Sequence, residues 1–126
     1  TIQTDGSIVA YNTSSDYRLK ENVVALTGAI DRLKTLSPKR FNFKEFPSKT
    51  VDGFLAHEVT AVPEAITGTK DEVATEDNVE RDIKKGDPIY QGMDQSKLVP
   101  LLTAALQEAI TKIETLESEV SALKSS

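Results

Sequence analysis

The chain lacks several residue types on which whole classes of protein site depend. It contains no cysteine and a single histidine, His57, among 126 residues. Disulfide bonds, thiolate metal sites and histidine-rich metal centres are therefore excluded. No apolar run approaches the roughly 20 residues that a membrane-spanning helix needs, and the first residues lack the basic and then apolar pattern of a signal peptide. We predict no metal site, no cofactor and no membrane partner.

Positive charge is also in deficit. The formal net charge is -5, from 15 Lys and Arg against 20 Asp and Glu, which argues against nucleic acid as the main partner. The length allows one domain with a modest core. Because the chain begins at Thr1 and not at a methionine, we expect it to be a piece of a longer protein.

Two stretches have the apolar spacing of helices, in steps of three and four residues. The first lies between Asp16 and Leu36 and is closed by Pro38, because the residue before a proline avoids the helical region. The second and stronger one spans residues 97–124 and has Pro100 in its first turn. Its apolar seam consists of Val99, Leu102, Leu106, Ala109, Ile113, Leu116, Val120 and Leu123.

The seam of the second helix has the heptad pattern of a parallel coiled coil. With Ile113 at position a, Lys112 of one chain meets Glu117 of the next, and Glu119 meets Lys124, so both contacts join opposite charges. A single amphipathic helix packed within a monomer is the alternative. The first half has a wider apolar face, which we expect to pack on the body as well as on the axis. The additional apolar positions are Leu98, Leu101, Ala105 and Ile110.

Small β elements are predicted between the two helices. Residues 40–46 and 50–56 are typical of strands that can pair with each other. Residues 57–62 indicate a short helix that stops near Pro63. His57 lies beside a strand end, where a structural role is the first interpretation and a role as a pH switch is the second.

Residues 67–91 differ in composition from their surroundings. Up to Pro88 they carry seven acidic and four basic side chains and no aromatic residue, which indicates an exposed loop or arm. Residues 89–91 are a candidate for a returning strand. So long an excursion inside a small domain is unusual unless it has a function.

The segment of residues 15–22, with the sequence SDYRLKEN, contains the most informative chemistry. It combines a hydroxyl at Ser15 with an amine at Lys20, the minimum set for a serine nucleophile that a lysine activates. The structural alternative is that Ser15 or Asp16 caps a helix, while Arg18 and Lys20 are solvated.

This segment resembles the opening of the endosialidase-type intramolecular chaperone domain. This domain, which is also classed as a self-cleaving serine peptidase family, lies at the C-terminal end of many bacteriophage tailspikes, tail fibres and neck appendages. The family opens with Ser-Asp-x-Arg-x-Lys, which Ser15, Asp16, Arg18 and Lys20 match. Further blocks that resemble the family, in the same order, are residues 53–59 with 63–65 and residues 92–102.

The resemblance implies a homotrimer that folds an upstream fibre stalk and then leaves by one cut in its own chain. Residues 1–14 would be the end of the stalk, and residues 15–126 the chaperone domain, with an arm at 67–91 that embraces the stalk. The protein would be made in the cytoplasm of the bacterial host, and the domain released before or during virion assembly. The residue preferences known from coiled-coil peptides favour an assembly of two helices for this seam. The family resemblance implies three chains, and we therefore expect a trimer.

The same resemblance makes Ser15 and Lys20 catalytic, with Asp16 and Arg18 in support. A lysine acts as a base only when neutral, so the pKa near 10.4 of a free lysine must fall through burial or a nearby cation. We expect Arg18 to be the nearby cation and trimer assembly to bury Lys20. Residues five apart on a regular helix differ by about 140° in direction. Either Ser15 therefore lies in extended chain before the helix, or Lys20 serves a neighbouring chain.

The resemblance points to cleavage of the Ser15-Asp16 bond, with the Ser14-Ser15 bond as the alternative. Attack of Ser15 on its own carbonyl needs a strained four-membered ring, whereas attack on the carbonyl of Ser14 needs a five-membered ring. Asp16 either shuttles a proton or positions the turn.

The sequence as a whole predicts an α+β fold, mainly helical. Small β elements and an extended arm belong to a body that ends in a long helix, which forms a parallel trimeric coiled coil. Two other functions stay open: a permanent trimerisation foot that does not cleave, and a receptor-binding tip that uses the acidic arm. The predicted oligomerisation residues are Leu102, Leu106, Ile113, Leu116, Val120 and Leu123.

Overall fold

The computed structural model describes residues 15–126 as a small α+β domain, which confirms the predicted fold class. The predicted stalk segment, residues 1–14, lies outside the described part. In chain order the elements are a 3-10 helix (Tyr17–Leu19), α1 (Ala29–Leu33), β1 (Lys39–Phe41), β2 (Val51–Gly53), two 3-10 helices (Ala56–Glu58 and Pro63–Ala65), β3 (Ile66–Thr67), β4 (Gly92–Met93), a fourth 3-10 helix (Gln95–Leu98) and α2 (Val99–Ser125).

The helix expected between residues 16 and 36 is present, but it is much shorter than the apolar spacing indicated. The chain forms the first 3-10 helix and the five-residue α1, joined by an irregular segment. Asn22 has φ of 56° and Gly28 has φ of 67°, and a residue in the left-handed region cannot continue a right-handed helix. Val23, an apolar residue within this segment, is 78% exposed.

The predicted pairing of two strands in the next region is confirmed. β1 and β2 are antiparallel, with Arg40 opposite Asp52. Each strand has three residues, fewer than expected, because the connection folds into successive tight turns. In these turns the Phe46 amide donates to the Phe43 carbonyl at 2.9 Å, and the Lys49 amide to the Phe46 carbonyl at 3.1 Å.

The short helix expected at residues 57–62 is confined to one 3-10 turn, Ala56–Glu58. Pro63 does not only end this region. It also begins the next 3-10 helix, Pro63–Ala65, since proline lacks an amide hydrogen and suits the first turn of a helix.

Residues 67–91 form an exposed excursion that returns on itself. Two isolated antiparallel bridges join its sides, Val73 with Pro88 and Asn78 with Ile83. The sides are therefore held by backbone hydrogen bonds and not by a packed interior, which fits their largely polar composition.

The returning strand expected at residues 89–91 lies slightly later in the chain. The Ile89 amide still donates to the Glu72 carbonyl within the excursion, at 2.8 Å. The strand that returns to the body is β4, which pairs with β3 so that Ile66 lies opposite Met93.

The core forms around the start of α2. Leu98, Leu101 and Ala105 are each at most 3% exposed, and their steps of three and four residues place them on one face. The wider apolar face is confirmed for these three, whereas Ile110 is 45% exposed. In the described chain, no helix combines the length and apolarity needed to cross a membrane. The other buried apolar residues are Ala29, Val59, Val62 and Ala65.

Candidate functional site

Ser15 and Lys20 meet within one chain. Asp16 is extended, with φ of -63° and ψ of 134°, the next three residues form the 3-10 helix Tyr17–Leu19, and Lys20 is extended again. This path brings Lys20 Nζ to 2.9 Å from Ser15 Oγ, to which it donates a hydrogen bond. The tight 3-10 turn with extended flanks achieves what a regular α-helix could not, because the two side chains would then point in different directions.

Arg18 donates hydrogen bonds to the carboxylate of Asp16 from both its backbone amide and its guanidinium. Asp16 Oδ1 accepts from the Arg18 amide at 2.8 Å and from Arg18 Nε at 2.9 Å, and Oδ2 accepts from Arg18 Nη2 at 2.9 Å. The guanidinium, then the amide of Arg18, hold the pKa of Asp16 below its ordinary value. Asp16 thus caps the 3-10 helix as an ionised group, and its oxygens are directed at Arg18.

The Ser15–Lys20 pair is open to solvent in the single chain. Both residues are exposed, and so are the apolar side chains beside them. Tyr17 is 80% exposed, Leu19 72% and Val24 84%. A pair that requires burial of its lysine therefore requires a covering surface that residues 15–126 of one chain do not provide.

Glu108 connects the segment after this pair to α2. Its Oε2 accepts from the Ala29 amide at 3.0 Å and its Oε1 from the Ile30 amide at 3.1 Å. These amides begin α1, which has no side-chain cap of its own at Gly28. The hydrogen bond from the Ala29 amide, and next in size that from the Ile30 amide, lower the pKa of Glu108.

Sequence reasoning missed Glu108 because an isolated glutamate on a helix is ordinarily solvated. One signal was available: Glu108 continues the buried face of Leu101 and Ala105 at steps of three and four residues. A carboxylate in line with buried residues indicates a polar partner at the edge of the core.

The predicted oligomerisation residues form an exposed apolar row on α2. Their fractional exposure lies between 45% for Leu102 and 74% for Leu123. Within the described chain this row has no covering element. The other members, Leu106, Ile113, Leu116 and Val120, are 62%, 55%, 59% and 48% exposed.

His57 is the residue most relevant to a metal site, because it is the single histidine of the sequence. In the part of the chain that the structure describes, no group of three or more His, Asp or Glu side chains is placed to hold a metal ion. His57 is exposed and lies at the base of the excursion, in a groove that Asp71 and Tyr90 also line.

Comparison with protein families identifies the first part of this arrangement. The peptidase S74 family, described as the chaperone of endosialidase, matches residues 15–67. The match begins at Ser15 itself and takes in Lys20, α1 and the β1–β2 pair. This segment is therefore similar to the endosialidase chaperone family. The third sequence block, residues 92–102, lies beyond the match, and its Leu98 and Leu101 are core residues.

A solved structure has a similar fold over a longer stretch. It is described as the crystal structure of a novel intramolecular chaperone, and the two chains superpose with a TM-score of 0.52 at 15% sequence identity. The similarity covers 78% of this chain and 99% of the other. It therefore extends beyond the segment that the endosialidase chaperone family matches. No curated protein matches the chain.

Proposed function

We propose that the chain is a homotrimeric intramolecular chaperone that folds an upstream phage fibre or tailspike and releases itself by one cut next to Ser15. The observation that carries the proposal is the 2.9 Å hydrogen bond between Lys20 Nζ and Ser15 Oγ, at the residue where the family match begins. Release would occur in the bacterial host cytoplasm, before or during virion assembly. The arm at residues 67–91 would hold the stalk during folding.

The chemistry follows from the pair. Lys20, once neutral, takes the hydroxyl proton of Ser15, and Oγ attacks a backbone carbonyl carbon. Attack on the carbonyl of Ser14 closes a five-membered ring. The Ser14-Ser15 amide bond then breaks, the amine of Ser15 takes the proton, and water hydrolyses the resulting ester. Family resemblance favours the Ser15-Asp16 bond instead. The first residue of the released domain, Ser15 or Asp16, distinguishes the two bonds.

Asp16 acts in this proposal as a positioning residue. Its carboxylate already accepts three hydrogen bonds from Arg18, and its lowered pKa disfavours protonation. A proton shuttle must be able to hold the proton in transit. Positioning of the 3-10 turn, which brings Lys20 back to Ser15, is the role that the contacts support.

Assembly completes the site. Lys20 is solvated in the single chain, and a lysine loses its proton near neutral pH only when burial or a neighbouring cation disfavours its charge. A neighbouring chain that covers the exposed Tyr17 and Leu19 would supply that burial. Cleavage would then await a correctly formed trimer.

One observation favours a second function. The same exposure of Ser15 and Lys20 is what a non-cleaving trimerisation foot would have, in which the two side chains form only a surface hydrogen bond. Both functions require the trimer, so oligomeric state does not separate them, but processing does.

The test uses the chain preceded by a fibre segment. We expect Ser15→Ala and Lys20→Ala to abolish processing and to leave the trimer intact, because both side chains are exposed and contribute little to packing. Lys49→Ala, at an exposed lysine outside the site, is the control and should be processed normally. A denaturing gel with fragment masses gives the result. An unprocessed parent chain would favour the permanent foot, and normal processing of either variant would remove that residue from the mechanism.

A further inference from the structure

The start of α1 is the first fixed point after the Ser15–Lys20 pair. Residues 21–28 form no helix or strand and are exposed throughout. A chain of eight residues can extend by up to about 3.5 Å per residue, so the pair could lie in very different places if α1 were released. The position of α1 on α2 therefore limits where the pair can be.

α1 is too short to hold that position by itself. A helix of five residues is far below the length at which helices are stable in isolation. Its first amides have no intrahelical acceptor, and Gly28 supplies no side chain. Farther along α1, Ile30 and Leu33 pack against the core, and Arg32 Nη2 donates to the Ala61 carbonyl. The start of α1 is attached to α2 by the packing of Ala29, which is fully buried, and by the two hydrogen bonds to Glu108.

The two hydrogen bonds are of a strong and directional kind. An ionised carboxylate that accepts two adjacent backbone amides makes charge-assisted bonds, and the negative charge is favourable at a helix N-terminus. Apolar packing alone would permit α1 to slide or rotate on α2. Two oxygens bound to two consecutive amides fix both the position and the direction of α1.

Glu108 also stands at a boundary along α2. On its N-terminal side α2 contacts the body through Leu101 and Ala105, whereas from Ile113 onward every residue is exposed. Leu26, from the segment that leads to α1, lines a groove with Glu108 and Lys112. The same helix that would form the trimer axis thus holds α1, to which the segment with Ser15 and Lys20 leads.

From this geometry we propose that Glu108 is a positioning residue for self-cleavage. Its carboxylate sets the location of α1 on α2, and so aligns the Ser15–Lys20 pair with the neighbouring chain that covers it. The inference rests on the proposed function, because it requires that the chain cuts itself.

The test compares Glu108→Gln with Glu114→Gln in the chain preceded by a fibre segment. The first change removes one of the two matched acceptors and puts a donor against an amide; the second removes the same charge at an exposed site on the same helix. Misplacement of a reacting group by about 1 Å can cost on the order of 100-fold in rate. We expect cleavage within isolated trimers to slow by about 10- to 100-fold for Glu108→Gln and to be unchanged for Glu114→Gln.

Two further measurements separate positioning from general instability. Amide exchange should accelerate at Ala29 and Ile30 in Glu108→Gln, with the core amides of α2 still protected. Glu108→Asp, which keeps the carboxylate at shorter reach, should recover part of the cleavage rate.

The outcomes are distinct. An uncut wild-type chain would overturn the proposed self-cleavage. A cut wild type with an equally fast Glu108→Gln trimer would overturn only the role of Glu108. Loss of the trimer in both Glu108 variants would make this residue a folding residue and would also overturn the inference.

Discussion

The two halves of α2 have the same apolar spacing and opposite surroundings. In the proximal half, residues 99–112, Leu101 and Ala105 are buried in the core, and Glu108 binds α1. In the distal half, residues 113–125, every side chain is exposed. The comparison teaches that apolar periodicity tells which face needs burial, but not whether the same chain or another chain provides it.

The largest effect should come from charges on the distal seam. Ile113→Asp combined with Leu116→Asp would place unpaired charges on the proposed axis, and burial of such charges is costly. The wild-type side chains would each contribute roughly 1.5–3 kcal/mol when buried. We expect light scattering to give a trimer for the wild type and a monomer for the double variant. A double variant that remains a trimer would show that the distal half is not the source of assembly.

The proximal half should matter for stability even without assembly. In the monomeric double variant with Ile113→Asp and Leu116→Asp, a further Leu101→Ala change should lower the free energy of unfolding by about 2–5 kcal/mol, because it leaves a cavity in the core. Leu123→Ala, the same substitution at a residue 74% exposed, should change it by less than about 0.5 kcal/mol. Urea unfolding of both variants gives the comparison. Equal losses would mean that the distal half packs within the chain after all.

The smallest effect should come from the charges beside the distal seam. Glu119→Lys would set two positive charges against each other at the predicted contact with Lys124 of the next chain. Exposed pairs of this kind contribute about 0.2–1 kcal/mol, so trimer dissociation should shift to moderately higher protein concentration. Adding Lys124→Glu should restore the wild-type midpoint. Sedimentation equilibrium at low salt measures the shift, and a double variant that stays as weak as the single one would contradict the parallel alignment.

How much was predictable differs from element to element. α2 was predicted within two residues at each end, because a sustained apolar period and Pro100 in the first turn are local signals. The β1–β2 pairing was also predicted, but not how short the strands are, since the turns between them depend on hydrogen bonds around Phe46. The helix expected between residues 16 and 36 is present only as the five-residue α1, because left-handed residues at Asn22 and Gly28 interrupt the segment.

The candidate site divides in the same way. The residues Ser15, Asp16, Arg18 and Lys20 could be named from the sequence, because their order resembles the opening of the endosialidase chaperone family. The sequence did not tell whether Ser15 and Lys20 touch within one chain. With the same spacing, a 3-10 turn with extended flanks brings the two side chains together, whereas a continuous helix keeps them apart.

The sequence by itself determined the chemical groups of this protein, the long helix with its seam, and the absence of cysteine-based or histidine-rich sites. These features depend on residue type and on spacing within a few residues. Only the tertiary structure decided that Glu108 binds amides 78 and 79 residues earlier in the chain, and where along α2 burial by the same chain ends. Such contacts depend on the path of the whole chain, because loops bring together residues whose local sequences contain no information about each other.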